Sequence, residues 1–119
     1  YCRAFHKQIA AYNAAGIAVD YLFYPLTIHP GADKKAEAVW CSQDRPNAFT
    51  AAMAGKDPGK ATCPNPVGEL TELAKQLGIG GTPTVLADDG SQIASNIAMY
   101  PDKLAAELDR REAAAAAHN

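Results

Sequence analysis

The sequence predicts one domain of the α/β class, with elements in the order helix, strand, three helices, β-hairpin and helix. Three observations lead to this prediction. Apolar residues recur at spacings of three and four in several stretches, which is typical of helices with one buried face. A short, dense run of β-branched and aromatic residues indicates a strand buried on both faces, as in a parallel sheet. Finally, Asp88-Asp89-Gly90 between two apolar runs is a strong hairpin signal.

The first helix is predicted over residues 1–15 and ends at Gly16, a natural C-terminal stop. Its apolar stripe consists of Cys2, Phe5, Ile9 and Tyr12. The dense run at residues 17–24 is the predicted parallel strand, interrupted only by Asp20 and ended by Pro25. A parallel strand needs a neighbouring strand, and the sequence offers no clear candidate ahead of this one.

Two short helices are predicted over residues 32–43 and 46–54, after a loop at 26–31 that contains proline and glycine. Their apolar anchors are Val39, Trp40, Phe49 and Met53. Residues 55–64 are rich in glycine and proline, and this composition predicts another loop.

The next helix has a good start at Asn65-Pro66, where a cap residue precedes a proline in the first turn. Gly78 ends this helix. Its buried face is predicted to consist of Val67, Leu70, Ala74 and Leu77. The two strands of the hairpin are then predicted over residues 84–87 and 91–97.

Pro101 opens the last predicted helix, in which Leu104 and Leu108 face inward. The tail at residues 113–119 is predicted to be frayed. The sequence contains no internal repeat and no linker, so we expect the chain to form one domain. With 119 residues, of which 48% are apolar, a domain of this length can build a hydrophobic core.

Composition excludes several classes of function. The net charge is −2 and the basic residues are scattered, whereas a nucleic-acid-binding surface clusters lysine and arginine on one face. No apolar run approaches the roughly 18 residues that span a bilayer. The sequence begins without an initiator methionine and contains no signal peptide, which fits a mature or trimmed secreted chain. Three cysteines mildly suggest an oxidising compartment.

An odd number of cysteines points to a reactive thiol or a missing partner. Cys41 and Cys63 are far enough apart to close a loop, and a bond there would stabilise the fold by about 3 kcal/mol. Two buried free thiols are the alternative, although the loop position of Cys63 beside Pro64 argues against it. Cys2 is the remaining cysteine, and Tyr1-Cys2 is interpreted as the second half of a Cys-x-x-Cys motif.

Cys2 lies in the first turn of the first predicted helix, where the free amides and the helix dipole favour a thiolate. The alternatives are a small buried hydrophobic residue or a metal ligand together with His6, one turn further on the same face. Two ligands do not make a zinc site, and His29 and His118 lie in the predicted loop and tail. We therefore expect no metal.

The third chemical signal is Gly80-Gly81-Thr82-Pro83, directly before a predicted strand. Proline at the start of a strand often serves only as an edge or turn device, and most bonds before proline are trans. By itself the segment does not predict a cis peptide bond.

Taken together, these features resemble the catalytic domain of the DsbC-type periplasmic disulfide isomerases over nearly the whole chain. The matching segments, in order, are Tyr1-Cys2, the helix from Arg3 to Ala15, Tyr21-Leu22-Phe23-Tyr24-Pro25, Val39-Trp40-Cys41, Ala48-Phe49, Met53-Ala54-Gly55-Lys56, Cys63 and Leu77-Gly78-Ile79-Gly80-Gly81-Thr82-Pro83. The resemblance implies a thioredoxin-like fold with a helical insertion. It also implies that Cys41 and Cys63 form a structural disulfide and that Thr82-Pro83 is a cis-proline loop that binds substrate.

The family's active site is Cys-x-Tyr-Cys, and Tyr1 and Cys2 match its last two positions. The attacking cysteine would lie three positions before Cys2, outside the chain. The first central strand, the linker helix and the amino-terminal dimerisation domain would be absent as well. We therefore expect residues 1–119 to be an incomplete thioredoxin-like catalytic domain, amino-terminally truncated and inactive as an isomerase by itself.

The implied function is a thiol:disulfide isomerase and oxidoreductase that reshuffles non-native disulfides, with Cys2 as the resolving thiol and Tyr1 tuning the redox pair. The implied partners are unfolded or misoxidised secreted proteins, a membrane thiol reductase that keeps the site reduced, and a second copy of the full protein. The location would be the bacterial periplasm. We expect no cofactor, no bound nucleic acid and no membrane insertion.

Three alternatives from other classes stay open at this point. The first is a thioredoxin-like module that binds clients at Pro83 as a chaperone, without catalysis. The second is a DsbG-like reductase that acts on single sulfenylated cysteines, although Tyr1 and Thr82 favour the isomerase. The third is a metal chaperone that uses Cys2 and His6.

Overall fold

A computed structural model describes residues 1–26 and 29–117 of the chain. Within these residues the elements are α1 (Cys2–His6), α2 (Ile9–Ala14), α3 (Ala32–Trp40), α4 (Arg45–Met53), α5 (Val67–Gln76), β1 (Val85–Leu86), β2 (Gln92–Ile93), α6 (Ser95–Ala98) and α7 (Pro101–Ala117). The mixture of helices with a small antiparallel sheet confirms the predicted α/β class. Among the described helices, none combines the length and the apolar character that a membrane crossing requires.

The chain divides into two compact units. Unit 1 consists of Tyr1–Asp20 and Pro83–Asn119, and unit 2 consists of Tyr21–Thr82. Unit 1 therefore contains α1, α2, the β-hairpin, α6 and α7, whereas unit 2 contains α3, α4 and α5.

The core of unit 1 joins residues from both ends of the chain. Its buried members are Phe5, Tyr12, Ile93, Ala98 and Leu104, and partly buried residues such as Ile17, Val85 and Leu108 pack against them. Tyr12 has no exposed surface, and its ring stacks on that of Phe5 with the centroids 4.6 Å apart. The Tyr12 hydroxyl donates a hydrogen bond of 2.6 Å to the carbonyl oxygen of Ala98. This bond gives the buried hydroxyl the partner that it needs.

The predicted helix over residues 1–15 is wrong in one respect, because it is broken at Lys7 and Gln8 into α1 and α2. The Gln8 amide donates to the Phe5 carbonyl at 3.1 Å, a tighter turn than the α-helical spacing of four residues. The Gln8 carbonyl then accepts hydrogen bonds from the amides of Ala11 and Tyr12, so Gln8 begins the second helix. The apolar stripe itself survives the break, since Phe5 and Tyr12 are both buried. As predicted, the helical segment ends before Gly16.

Residues 17–24 are not the predicted parallel strand. Over residues 17–20 the side chains alternate between half-buried and exposed, and Leu22 is 71% exposed, so the run is not buried on both faces. The physical reason is the lack of a neighbour: in the described part of the chain, the one sheet consists of β1 and β2, which pair with each other. Dense β-branched residues favour extended backbone, but a strand also needs a ladder of hydrogen bonds.

The hairpin prediction is confirmed, with shorter strands than predicted. β1 and β2 pair antiparallel, with Val85 opposite Ile93 and Leu86 opposite Gln92. A hydrogen bond from the amide of Gly90 to the carbonyl of Ala87 closes the loop. Gly90 has a φ of +85°, a left-handed conformation that favours glycine. The predicted second strand over 91–97 ends early, because the chain turns into α6 and buries Ala98 in the core.

In unit 2, α3 supplies three buried residues, Ala36, Ala38 and Val39, and contacts both α4 and α5. The predicted helices over 32–43 and 46–54 end slightly earlier, at Trp40 and Met53. The predicted anchors Trp40, Phe49 and Met53 are half-buried rather than fully buried. Of the predicted loop at 26–31, residues 27 and 28 lie outside the described ranges.

α5 begins at Val67, one residue later than predicted, so that Pro66 rather than Asn65 occupies the cap position. The Asn65 side chain still acts at this end, because it accepts a hydrogen bond of 3.1 Å from the amide of Val67. Val67 and Ala74 are buried as predicted, and Leu70 is half-buried. Leu77 is the exception, at 62% exposed. It follows the last residue of the helix, and at Gly78 the backbone turns away with a φ of +72°.

α7 is longer than predicted, because residues 113–117 are helical rather than frayed. These five residues are all alanine, which has the highest helix propensity. Leu104 is buried and Leu108 half-buried, as predicted. Residues 118–119 of the predicted tail are outside the described part.

A charged network joins α7 to the hairpin of unit 1. The Glu107 carboxylate accepts hydrogen bonds from the guanidinium groups of Arg110 and Arg111, and these bonds lower the pKa of Glu107 to about 2. Arg111 also donates to the Ser91 hydroxyl at 2.8 Å and to the Gln92 carbonyl at 3.3 Å. Glu107 therefore holds Arg111 where it can bind the second strand.

We expect the stabilising contribution of Glu107 to be lost in strong acid. Because its folded pKa of about 2 lies below the unfolded value of about 4.3, the contribution is fully present above pH 4.3 and disappears as the pH falls through 2. A carboxyl ¹³C titration should give a midpoint near pH 2. Arg110→Ala should raise that midpoint, and a wild-type midpoint near 4.3 would contradict the network.

Candidate functional site

Cys2 is the first residue of α1 and carries a free, half-buried thiol. Tyr1 precedes the helix, its carbonyl accepts a hydrogen bond of 2.9 Å from the amide of Phe5, and its side chain is 91% exposed. The other two cysteines of the chain, Cys41 and Cys63, are bonded to each other. Cys2 therefore carries the one free thiol among the three cysteines.

The helix that carries Cys2 is too short to be stable alone. α1 has five residues, whereas isolated helices shorter than about 12 residues are marginal in water. Phe5 and Gln8 attach it to the core of unit 1. Phe5, the buried residue of α1, stacks on Tyr12, and Gln8 provides the chain connection. The position of the thiol is thus set by packing within unit 1.

His6 lies one helical turn after Cys2, on the same face of α1. Burial lowers the pKa of His6 below its ordinary value of 6.5, which favours the neutral imidazole. A neutral imidazole is a suitable metal ligand, but the described residues contain no group of three or more histidine, cysteine or acidic side chains that could hold a metal ion. The geometry gives the metal-chaperone alternative no support.

Thr82 and Pro83 form a half-buried bend directly before β1. Thr82 is the last residue of unit 2, and Pro83 is the first residue of the second segment of unit 1. Cys2 and Pro83 therefore belong to the same compact unit. The cis geometry of the Thr82–Pro83 bond and the substrate-binding role of both residues stay predictions.

Cys41 and Cys63 form a disulfide within unit 2, with their Cα atoms 5.7 Å apart. Cys41 follows the last residue of α3, and Cys63 lies in the loop before α5. The bond therefore ties the end of one helix to the segment that leads into another, 22 positions along the chain.

The reasoning from sequence missed two residues, one that contacts Trp40 beside Cys41 and one that lies six positions after Cys2. Arg45 places its guanidinium 3.9 Å from the centre of the Trp40 ring and donates to the Trp40 carbonyl at 2.7 Å, next to Cys41. Gln8 donates from its side chain to the carbonyl of Met99 at 3.0 Å. A signal for Gln8 was present: it is a polar residue three positions after Phe5 on the apolar stripe, and a polar group on a buried face needs a partner.

A free thiol at the first residue of a helix, in a unit that packs helices on a β-hairpin, is an arrangement expected of a thioredoxin-like protein with a candidate redox centre. Comparison with known families supports this class, because the family described as "Thioredoxin-like domain" matches residues 1–112. The chain belongs to the thioredoxin-like domain family.

Among curated proteins, the chain is similar to thiol:disulfide interchange proteins named DsbC. It is 39% identical to the protein from Dickeya dadantii (strain 3937) over 114 residues, which are 95% of this chain and 47% of that protein. It is also 39% identical to the protein from Escherichia coli (strain K12) over 94 residues, covering 78% and 40% of the two chains. The chain thus spans about half the length of the curated relatives it matches.

A solved structure shows the same likeness. The crystal structure of a disulfide interchange protein from Neisseria gonorrhoeae matches with a TM-score of 0.57 and 41% identity, over 61% of this chain and 54% of that one. The predicted resemblance to DsbC-type proteins and the thioredoxin-like fold class are both confirmed.

Proposed function

We propose that residues 1–119 are the catalytic domain of a thiol:disulfide isomerase and oxidoreductase, with Cys2 as its resolving thiol. One observation carries the proposal: the only free thiol of the chain lies at the first residue of a helix, in a thioredoxin-like domain similar to thiol:disulfide interchange proteins. The family match over residues 1–112 includes residues of both units, which supports assigning them to one domain.

The proposed reaction uses two thiols. An attacking cysteine, placed by the resemblance three positions before Cys2 in the longer protein, acts as a thiolate on a wrongly paired client disulfide. One sulfur of the client becomes bonded to the enzyme, and the other leaves as a thiolate. The client can then rearrange while it stays attached.

Cys2 resolves the mixed disulfide when the client fails to rearrange. Its thiolate attacks the enzyme sulfur of the mixed disulfide, forms a disulfide within the enzyme and releases the client sulfur as a thiol. Two electrons pass from the enzyme thiols to the client, so a reductant must later return the enzyme to its dithiol form. A membrane thiol reductase is the partner that the resemblance implies for this step. Tyr1, next to Cys2 and almost fully exposed, is free to influence the pair without constraining the fold.

The remaining roles follow from the same resemblance. We assign client binding to the backbone at Thr82 and Pro83, where an extended segment can add main-chain hydrogen bonds without a strong sequence preference. The clients would be unfolded or misoxidised secreted proteins in the periplasm, and the full protein would be a homodimer. The Cys41–Cys63 bond supports an oxidising location, because disulfides persist in such compartments.

The test compares this chain with the same chain extended by the preceding segment of the full-length protein. We expect the extended protein to reduce insulin and to reactivate scrambled ribonuclease, and this chain to form mixed disulfides without turnover. In the extended protein, Cys2→Ser should accumulate the mixed disulfide with the client, because the resolving thiol is gone.

The control for Cys2→Ser is the pair Cys41→Ala/Cys63→Ala in the same extended protein, which should retain exchange activity in conditions where it stays folded. An extended protein that neither reduces insulin nor reactivates scrambled ribonuclease would overturn the proposal. If that protein nevertheless suppressed client aggregation, the non-catalytic binding module would be the better assignment.

A further inference from the structure

Two side chains of the broken first helical segment reach the same short stretch of chain at the other end of unit 1. The Tyr12 hydroxyl donates to the carbonyl of Ala98 at 2.6 Å, and the Gln8 amide group donates to the carbonyl of Met99 at 3.0 Å. These carbonyls are consecutive and lie at the end of α6. The two hydrogen bonds thereby join residues that lie 86 and 91 positions apart in the sequence.

The two hydrogen bonds hold different parts of the first helical segment. Tyr12 lies in the middle of α2 and is held by burial and by stacking on Phe5, so its hydroxyl adds to an attachment that already exists. Gln8 lies at the break between α1 and α2. Its backbone amide donates a hydrogen bond to the carbonyl of Phe5 in α1. Its backbone carbonyl accepts hydrogen bonds from the amides of Ala11 and Tyr12 in α2. A side-chain bond at this point fixes the junction itself.

The junction contributes to the position of α1 together with the packing of Phe5 on Tyr12. A helix of five residues gains too few internal hydrogen bonds to hold its direction. The half-buried state of the Cys2 thiol therefore depends on how α1 leaves the junction. Release of the Gln8 side chain would remove a contact that, besides the burial of Phe5, holds α1 against the core.

We propose that Gln8 is a positioning residue for the Cys2 thiol: its hydrogen bond to Met99 fixes the direction of α1 and so limits the exposure of the Cys2 sulfur. The inference rests on the proposed function in that Cys2 is the reacting group. It adds a second determinant of thiol reactivity, located two turns away and connected to the opposite end of the chain.

The decisive variant is Gln8→Met, which keeps the length of the side chain and removes the donor. The readout is the rate of Cys2 alkylation by iodoacetamide in the 119-residue chain, measured from pH 6 to pH 10. We expect the plateau rate at high pH to rise by about twofold to tenfold, the range that corresponds to the loss of one hydrogen bond. The matched control is Ile93→Val, which loses a comparable amount of stability from the same core without touching the junction. Its pH–rate profile should coincide with that of the wild type.

Amide hydrogen exchange gives an independent measurement. In Gln8→Met the amides of Phe5 and Lys7, which bond within the first segment, should lose protection by a similar factor, whereas the amide of Leu104 in α7 should not. Unchanged alkylation and exchange in Gln8→Met would overturn the inference. An equal increase in Ile93→Val would also overturn it, because the effect would then reflect general destabilisation. Neither assay requires turnover, so failure here is distinguishable from failure of the proposed isomerase activity.

Discussion

Replacing Tyr12 with alanine is expected to lower the free energy of unfolding of the chain by about 3–5 kcal/mol, the range measured when a large buried aromatic ring is removed. Tyr12 has no exposed surface and stacks on Phe5 at 4.6 Å, in the cluster that also contains Leu104. Removal of the ring leaves a cavity between helices contributed by both ends of the chain. Urea denaturation followed by circular dichroism would measure the loss.

Two further variants separate the ring from its hydroxyl. Tyr12→Phe keeps the stacked ring and removes the donor to the Ala98 carbonyl, which should cost about 1–3 kcal/mol if that carbonyl stays buried. Tyr100→Ala is the matched control, because Tyr100 is 50% exposed and contacts the ammonium of Lys103 at 4.7 Å. It should cost about 1 kcal/mol or less. A Tyr12→Ala variant no less stable than Tyr100→Ala would show that this core has been assigned wrongly.

Removal of the disulfide is expected to cost about 3 kcal/mol, because the bond restricts the unfolded chain over the 22 positions between Cys41 and Cys63. The suitable variant replaces both cysteines by alanine. A single replacement would leave one thiol able to pair wrongly with Cys2. The free energy of unfolding in urea, without reductant, measures the loss.

Reduction provides the control for the disulfide variant. Dithiothreitol should destabilise the wild-type chain by a similar amount and should leave the double variant unchanged, since that variant has no bond to break. If reductant leaves the wild-type midpoint in place, the bond contributes nothing to stability and its structural role is refuted. Cys2 is present in both proteins, so its chemistry does not affect the comparison.

Local signals were sufficient to predict α5 and the hairpin. Asn65 and Gly78 bracket α5 in the sequence, and both act at its ends in the structure. Gly90 marks the hairpin loop in the same way, because few other residues accept its positive φ. The predicted burial of Leu77 is wrong, because the apolar pattern continues one residue beyond the end of the helix.

Predictions that depended on distant partners were less successful. Residues 17–24 have the composition of a strand, yet composition does not supply a neighbouring strand with which to pair. The break at Gln8 was not predicted either; at this residue the side chain donates to the carbonyl of Met99, 91 positions along the chain. Residues 17–24 lack a partner strand, and the break at Gln8 coincides with a long-range contact, so neither could be predicted from local pattern alone.

The candidate site could likewise be predicted from local pattern only in part. Cys2 could be identified by counting cysteines, because an odd thiol remains after Cys41 and Cys63 are paired. The resemblance to known sequences, rather than any local pattern, supplied the roles of Tyr1, Thr82 and Pro83. The dependence of the Cys2 helix on Gln8 became visible only when both ends of unit 1 were seen in one core.

Unit 1 is assembled from the first and last portions of the chain, whereas unit 2 is one continuous segment. When the chain emerges from its first residue to its last, at the ribosome or across a membrane, the residues of unit 2 are therefore complete before α7 has appeared. We expect the disulfide-bearing segment to fold first. We expect α1, which carries Cys2, to pack in its final position only after the carbonyls of Ala98 and Met99 become available. In a newly made molecule, the reactive sulfur would be the last group to reach its final surroundings.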